Sequence, residues 1–255
     1  MIKGLTDFIK GIRIAFSMYS TLPMGRPRWE EADMRLVMSG FPLIGPVIGA
    51  LGWGFVLLCQ RMNWPVQVMS GGQLLLMILV TGGIHLDGFM DTMDAWKSYS
   101  DFEKRRAILK DPHIGGFALI YGASYLIVLT IAYSLLSPHR AVLLIGLYML
   151  SRLASGFSVI LLPKMSEQGS VSFLAKAAAA KANLVLLSIE AVICSVGLIL
   201  LGGWTAVTMI GLQLILFMLY ALWSKRNFGG TNGDTAGAFL QASELCLLLV
   251  IGLWP

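Results

Sequence analysis

The chain has 255 residues, of which 56% are hydrophobic and only 13% charged, with a net charge of +5 and a mean hydropathy of +0.75. A soluble domain carries about 25% charged residues, so a soluble or disordered chain is excluded and an all-α integral membrane protein is expected. The positive balance suits loops facing anionic lipid and anionic substrates. No basic groove interleaved with aromatics points to nucleic acid. Cys59, Cys194 and Cys246 lie far apart in apolar runs, which reads as packing rather than as a metal site or a disulfide framework.

The first element, residues 2–19, carries Ile2, Leu5, Phe8, Ile9, Ile12, Phe16 and Tyr19 at helical spacing, with Lys3, Asp7, Lys10 and Arg13 elsewhere on the wheel. That pattern predicts an amphipathic interfacial helix over residues 1–20. It has neither the uninterrupted apolar core nor the small-residue site of a cleaved signal. About seven transmembrane helices follow, near 38–59, 65–84, 115–136, 141–162, 184–201, 204–223 and 236–253. Glycines and prolines in FPLIGPVIGALGW (41–53) allow close packing or a bend. Gly202-Gly203 predicts a tight turn between the fifth and sixth spans. Polar loops are expected at 85–113, 163–183, with an Ala-rich helical piece, and 224–234. The whole chain, 1–255, reads as a single polytopic membrane domain without an internal repeat.

Orientation follows from the basic residues. With the N-terminus in the cytoplasm, sixteen Lys and Arg fall on the inner side, against Arg61 and Arg140 outside and Arg152 within a span. All three polar loops then face the cytoplasm and the protein is a multi-pass protein of the cell membrane.

The stretch TGGIHLDGFMDTMDAW, 81–96, holds Asp87, Asp91 and Asp94. On one helix, Asp91 lies about 40° round from Asp87 and Asp94 about 20° on the other side. Like charges on one face disfavour a helix unless a cation holds them, and magnesium takes oxygen ligands of this kind. The plainer alternative is a solvated acidic face, and the position directly after an apolar segment favours the cation. Gly88 follows Asp87 and can break the helix there, leaving Asp87 to reach the same ion from a turn. A second acidic site lies in FGGTNGDTAGA, 228–238, where Asp234 or Thr235 can cap the last helix and its amides suit a phosphate. Lys110-Asp111-Pro112-His113 is a third candidate for phosphate, or else a charged interfacial anchor. Within the spans, Arg152 either pairs with Glu190 or Glu244 or neutralises a phosphate in a cavity open to the cytoplasm. Clustered carboxylates beside phosphate-suited loops favour metal-assisted phosphoryl-type transfer, and no Ser-His-Asp, Cys-His or Walker pattern competes with it.

The run GGIHLDGFMDTMDAW resembles the signature of the cobalamin synthase family. FPLIGPVIGALGW (41–53), RRAILKDPHIGGFALI (105–120) and GGTNGDTAGAFLQASELCLLL (229–249) are similar to further segments of that family, in order. Thr231-Asn232-Gly233-Asp234 departs from the usual Gln-Thr-Gly-Asp, and Gln241 stands where the first of two C-terminal Glu residues is expected, while Glu244 keeps the second. The resemblance implies a late step of cobalamin biosynthesis, the assembly of the nucleotide loop. Adenosylcobinamide-GDP is joined to α-ribazole or its 5′-phosphate, with GMP released and Mg2+ required. It gives Asp87, Asp91, Asp94 and Asp234 catalytic roles, the first three as metal ligands. It makes His85, Lys110, Asp111, Arg152, Thr231, Asn232, Asp234 and Glu244 substrate-binding candidates. A homo-oligomer is compatible with such a chain. Competing readings are a membrane phosphotransferase of the CDP-alcohol type, a prenyltransferase, a transporter using Arg152, Glu190 and Glu244, and a structural subunit. The Asp spacing lacks the pattern of the first two, and no inverted repeat supports the transporter.

Overall fold

The computed structural model of the protein describes residues 2–25, 27, 29–30, 33–165 and 179–254. Among these, α1 is Ile2–Tyr19, and a 3-10 turn Asp33–Leu36 leads into α2, Val37–Gly40. Next come α3 (Ile44–Arg61), α4 (Val66–Thr81), α5 (Ile84–Lys97), α6 (Phe102–Ile108) and α7 (Gly116–Ser134). A turn at Ala141–Leu143 opens α8 (Leu144–Leu161), followed by α9 (Ala180–Phe228) and α10 (Gly233–Leu253). The described residues contain no strand beyond one isolated bridge, Lys164 to Thr231. The Ala-rich piece of the 163–183 loop lies outside the described residues.

Among the described residues, five segments are long and apolar enough to cross a membrane, and a sixth is added if α4 and α5, which meet at 95°, form one broken span. A straight 49-residue α9 would run about 74 Å, more than twice a bilayer core of about 30 Å. It is not straight. Gly203 sits at φ 52 and ψ −126, and the helix breaks there. Leu198 of the first limb lies where a Cβ on Gly146 of α8 would fall, and Leu187 would be in ordinary contact with one on Gly156. Ile210, Gln213 and Phe217 of the second limb line one cavity with Leu150, Leu153 and Phe157 of α8. The element is a helical hairpin folded onto α8, turned at the predicted glycines.

α8 is the central helix. Ser151, Arg152, Ser155 and Ser158 are buried on it together with Leu144, Leu147, Tyr148 and Leu153, as a helix enclosed on all sides requires. Gly45 and Gly49 of α3 bring that helix against it, for a Cβ there would meet Met149 N and Ile145 Cα at 2.4 Å each. This is small-residue packing without a hydrophobic driving force between helices. Outward faces are apolar, with Leu75, Leu79, Leu119, Ile193, Leu200 and Leu222 exposed.

Two of the predicted loops are largely helical. The 85–113 stretch holds α5 and α6, and α9 continues to Phe228, so only 229–232 separates α9 from α10. The break expected at Gly88 is not there. It lies upstream, at Gly82 (φ 65) and Gly83 (φ 74), both left-handed, a conformation that glycine adopts without steric cost. Thr21, just past α1, closes the elbow: its N–H donates to Val80 O at 2.8 Å and its hydroxyl to Leu79 O at 2.7 Å.

Candidate active site

α5 is one uninterrupted helix from Ile84 to Lys97, so Asp87, Asp91 and Asp94 do share a face. Gly88 serves a different purpose from a break. A Cβ on it would meet Asp234 Cα at 2.9 Å, and one on Gly237 would meet His85 O at 3.3 Å. The two glycines let α5 and the start of α10 approach backbone to backbone. That contact brings Asp234 beside the α5 carboxylates. Asp87 is exposed, and Asp91, Asp94 and Asp234 are half-buried. Burial first, and then the charges of Asp87, Asp234 and Asp94, push the Asp91 carboxyl up to about 6. The four acids therefore feel one another, which a cation would relieve.

Asp94 has a further engagement. A Cβ on Gly115 would meet its Oδ2 at 2.1 Å, and its Oδ1 accepts the Ala118 N–H at 3.3 Å. It lies against the N-terminus of α7, where free amides favour a carboxylate. Asp91 lies in mid-helix, and Asp87 and Asp234 stand in the first turns of their own helices, α5 and α10.

The loop 229–232 is held from several sides. Asn232 caps α10: its Oδ1 accepts the Thr235 N–H at 2.9 Å, and the Thr235 hydroxyl accepts the Asn232 N–H at 3.0 Å. This reciprocal cap replaces the expected cap by Asp234 or Thr235. Asn232 Nδ2 also donates to Asp234 Oδ2 at 2.7 Å, steering that carboxylate. Thr231 is buried; its hydroxyl pairs with Tyr220 OH at 2.5 Å, its N–H with Pro163 O at 2.8 Å and its O with the Met165 N–H at 2.9 Å. Thr231 is thus spent on holding the loop. Lys164, beside it, donates to Leu162 O at 2.6 Å, and burial pushes its ammonium down to about 8.

The other predicted residues lie elsewhere. Arg152 is fully buried and pairs with Glu244 Oε1 at 2.7 Å, with Ser151 Oγ donating to the same oxygen at 3.3 Å. This is an internal ion pair between α8 and α10. Glu190 Oε2 and the Nε and Nη2 atoms of Arg152 have no partner among the described residues. His85 is buried between the rings of Tyr19 and Phe41, at 5.7 and 5.6 Å, away from the acidic face. Lys110 is exposed on the α6–α7 connection, and Asp111 is taken by His113 at 2.6 Å, which holds its carboxyl below the usual range. Gln241 is buried and its Oε1 accepts from Tyr125 OH at 2.5 Å, a packing role. Sequence reasoning gave Gly88 a different role, a helix break, and missed Lys164, Tyr220 and the pair Arg105–Arg106 described below. The arginines lay in a segment already similar to the family, and only their position in the fold shows what they touch.

Among the described residues no three Asp, Glu, His or Cys side chains converge into a ready metal cage. Magnesium does not need one, since it keeps waters and is held by one or two carboxylates plus substrate phosphates. The hard oxygen donors Asp87, Asp91 and Asp234 suit that mode.

A polytopic helical membrane protein with an acidic, phosphate-suited site at one end of its bundle belongs among membrane transferases. The chain matches the family described as Cobalamin-5-phosphate synthase over residues 11–252, and it belongs to that family. It is 33% identical to the adenosylcobinamide-GDP ribazoletransferase of Lachnoclostridium phytofermentans over 96% of this chain and 94% of that one. It is 29% identical to the protein of the same name from Clostridium perfringens over 96% and 98%, and 30% to that of Pseudomonas savastanoi over 94% and 98%. No solved structure matches it. The protein is a transferase of cobalamin biosynthesis with transmembrane helices.

Proposed function

We propose that the protein joins adenosylcobinamide-GDP to α-ribazole, or to α-ribazole 5′-phosphate, at the cytoplasmic face of the cell membrane, with magnesium. The observation that carries this reading is the close approach of α5 to α10 at Gly88, which sets Asp234 beside Asp87 and Asp91. In the reaction a ribazole hydroxyl forms a new P–O bond to the phosphorus bearing the aminopropanol arm. The bond from that phosphorus to GMP breaks, and GMP leaves. Asp87, Asp91 and Asp234 would hold the metal, which when bound would neutralise phosphate oxygens. One of these carboxylates accepts the hydroxyl proton. Asn232 orients Asp234, and Asp94 holds α5 to α7.

The test is GMP release and cobalamin formation by purified protein in liposomes with magnesium and both substrates. Asp87→Ala, Asp91→Ala and Asp234→Ala are each expected to lose about two to three orders of magnitude in rate. A wild type inactive in lipid, or alanine variants at full rate, would overturn the reading.

A further inference from the structure

The proposed reaction needs Asp234 at a fixed distance from Asp87 and Asp91, and that depends on where the loop after α9 begins. A helix end leaves carbonyls without partners. Two of those at the end of α9 are satisfied by the left-handed glycine Gly229 and its neighbour. Gly229 N–H donates to Lys225 O at 3.0 Å and Gly230 N–H to Ser224 O at 3.2 Å. The last two carbonyls of the helix, those of Asn227 and Phe228, are taken by α6. Arg106 donates from Nε and Nη2 to Phe228 O at 3.2 and 3.1 Å. Arg105 Nη1 donates to Asn227 Oδ1 at 3.0 Å and to its O at 3.4 Å. Cations at a helix C-terminus are also favoured by its dipole.

The contact is built on both sides. The Arg106 guanidinium lies 4.3 Å from the centre of the Phe102 ring. A Cβ on Gly229 would meet Phe102 Cζ at 2.3 Å and Arg106 Nη2 at 3.0 Å. α6 itself is started by Asp101, whose Oδ1 accepts the Lys104 N–H at 2.9 Å. No residue of α6 is fully buried; its Ile108 packs against the small apolar cluster of Ala95, Met165 and Phe228, beside the arginine contacts.

We infer that Arg106, supported by Phe102 and Arg105, is a positioning residue for the transfer: it fixes the start of the 229–234 loop and thereby the placement of Asp234. This rests on the functional reading above. Arg106 touches no reacting atom. Its two parallel donors on one carbonyl are something a lysine cannot supply.

The test compares wild type with Arg106→Ala and Arg106→Lys in liposomes, by steady-state kinetics and by hydrogen exchange of the 229–235 amides. For Arg106→Ala, kcat is expected to fall about 10–100-fold, with KM for both substrates within about threefold. Arg106→Lys should fall between the two, and added guanidinium should restore part of the alanine variant's rate. Exchange over 229–235 should quicken at least about tenfold. A raised KM at unchanged kcat would mean that Arg106 binds substrate, and unchanged exchange would mean that it holds nothing; either overturns the inference. Should Arg106→Ala not fold, Arg106→Lys and Phe102→Leu carry the same readouts. A wild type that releases no GMP would instead overturn the functional reading, while exchange would still report whether the clamp exists.

Discussion

At the scale of single residues, the acidic face divides into two employments. Asp94 accepts the Ala118 N–H at the start of α7, whereas Asp91 sits among three other carboxylates with no helix end to serve. A neutral amide can still accept at the α7 N-terminus but holds a cation poorly. Asp94→Asn is therefore expected to keep about a tenth of the rate or more, while Asp91→Asn loses about two orders of magnitude or more. Equal losses in a side-by-side assay would put both residues in the same role. Gly88 offers a complementary test. A methyl there meets Asp234 Cα at 2.9 Å, so Gly88→Ala must part α5 from α10. Overpacking of that kind costs about 1–3 kcal/mol, and here the separation acts on the site directly. Activity should drop more steeply than the melting temperature. The buried pair follows a third logic. Removing one partner of Arg152–Glu244 strands a charge at a cost of about 3–5 kcal/mol. Arg152→Met should thus fail to fold or melt far lower, and Arg152→Met with Glu244→Leu should regain much of the loss. A single variant as stable as wild type would show that the pair is not closed.

At the scale of elements, the α9 hairpin turns on one residue. Gly203 has φ 52 and ψ −126, and a Cβ on it would meet nothing within 4 Å. Gly203→Ala is then destabilising through the backbone alone, by about 1–3 kcal/mol. Gly197, in the first limb, also has open space around it but lies inside the helix. Gly197→Ala should be neutral or stabilising by about 0.5–1 kcal/mol. Melting curves of the two variants in detergent separate conformational strain from packing. This turn was legible in the sequence because a glycine pair interrupts a continuous apolar run, and the apolar runs themselves marked every long helix. The acidic face was legible for the same reason, being a periodic signal within one helix. Contacts between distant segments were not. Asp94 with Ala118, Gly88 with Asp234 and Arg106 with Phe228 join residues with no shared period, so nothing local announces them. The α10 cap moved to Asn232 because three neighbouring residues can all cap, and the reciprocal bond with Thr235 decides among them.

At the scale of the molecule, charge and site fall at the same end of the bundle. Asn232 opens α10 at the acidic site, with Arg105 and Arg106 at the adjoining end of α9 and Lys164 paired to Thr231. The ion pair Lys10–Asp33, at 2.5 Å, and the bond from Asn183 Nδ2 to Arg35 O, at 2.7 Å, join α1, the 3-10 turn Asp33–Leu36 and the start of α9. At the other end of α10, Arg140 Nη1 donates to Trp254 O at 2.5 Å. Arg61, the last residue of α3, is the remaining basic group assigned to that side. Basic residues are retained in the cytoplasm during insertion, and on that ground we propose that the acidic-site end faces inward and the C-terminus outward. On the proposed function, a nucleotide-linked substrate would then be met from the compartment that makes nucleotides. Reporter fusions test this directly. A fusion between α6 and α7, near Lys110, should be active only as a cytoplasmic reporter, and one after Trp254 only as an exported reporter. Finding both on one side would mean that the odd number of crossings between them has become even, and the place to look would be the α9 turn at Gly203. A site-end reporter found outside would separate the acids from their nucleotide substrate.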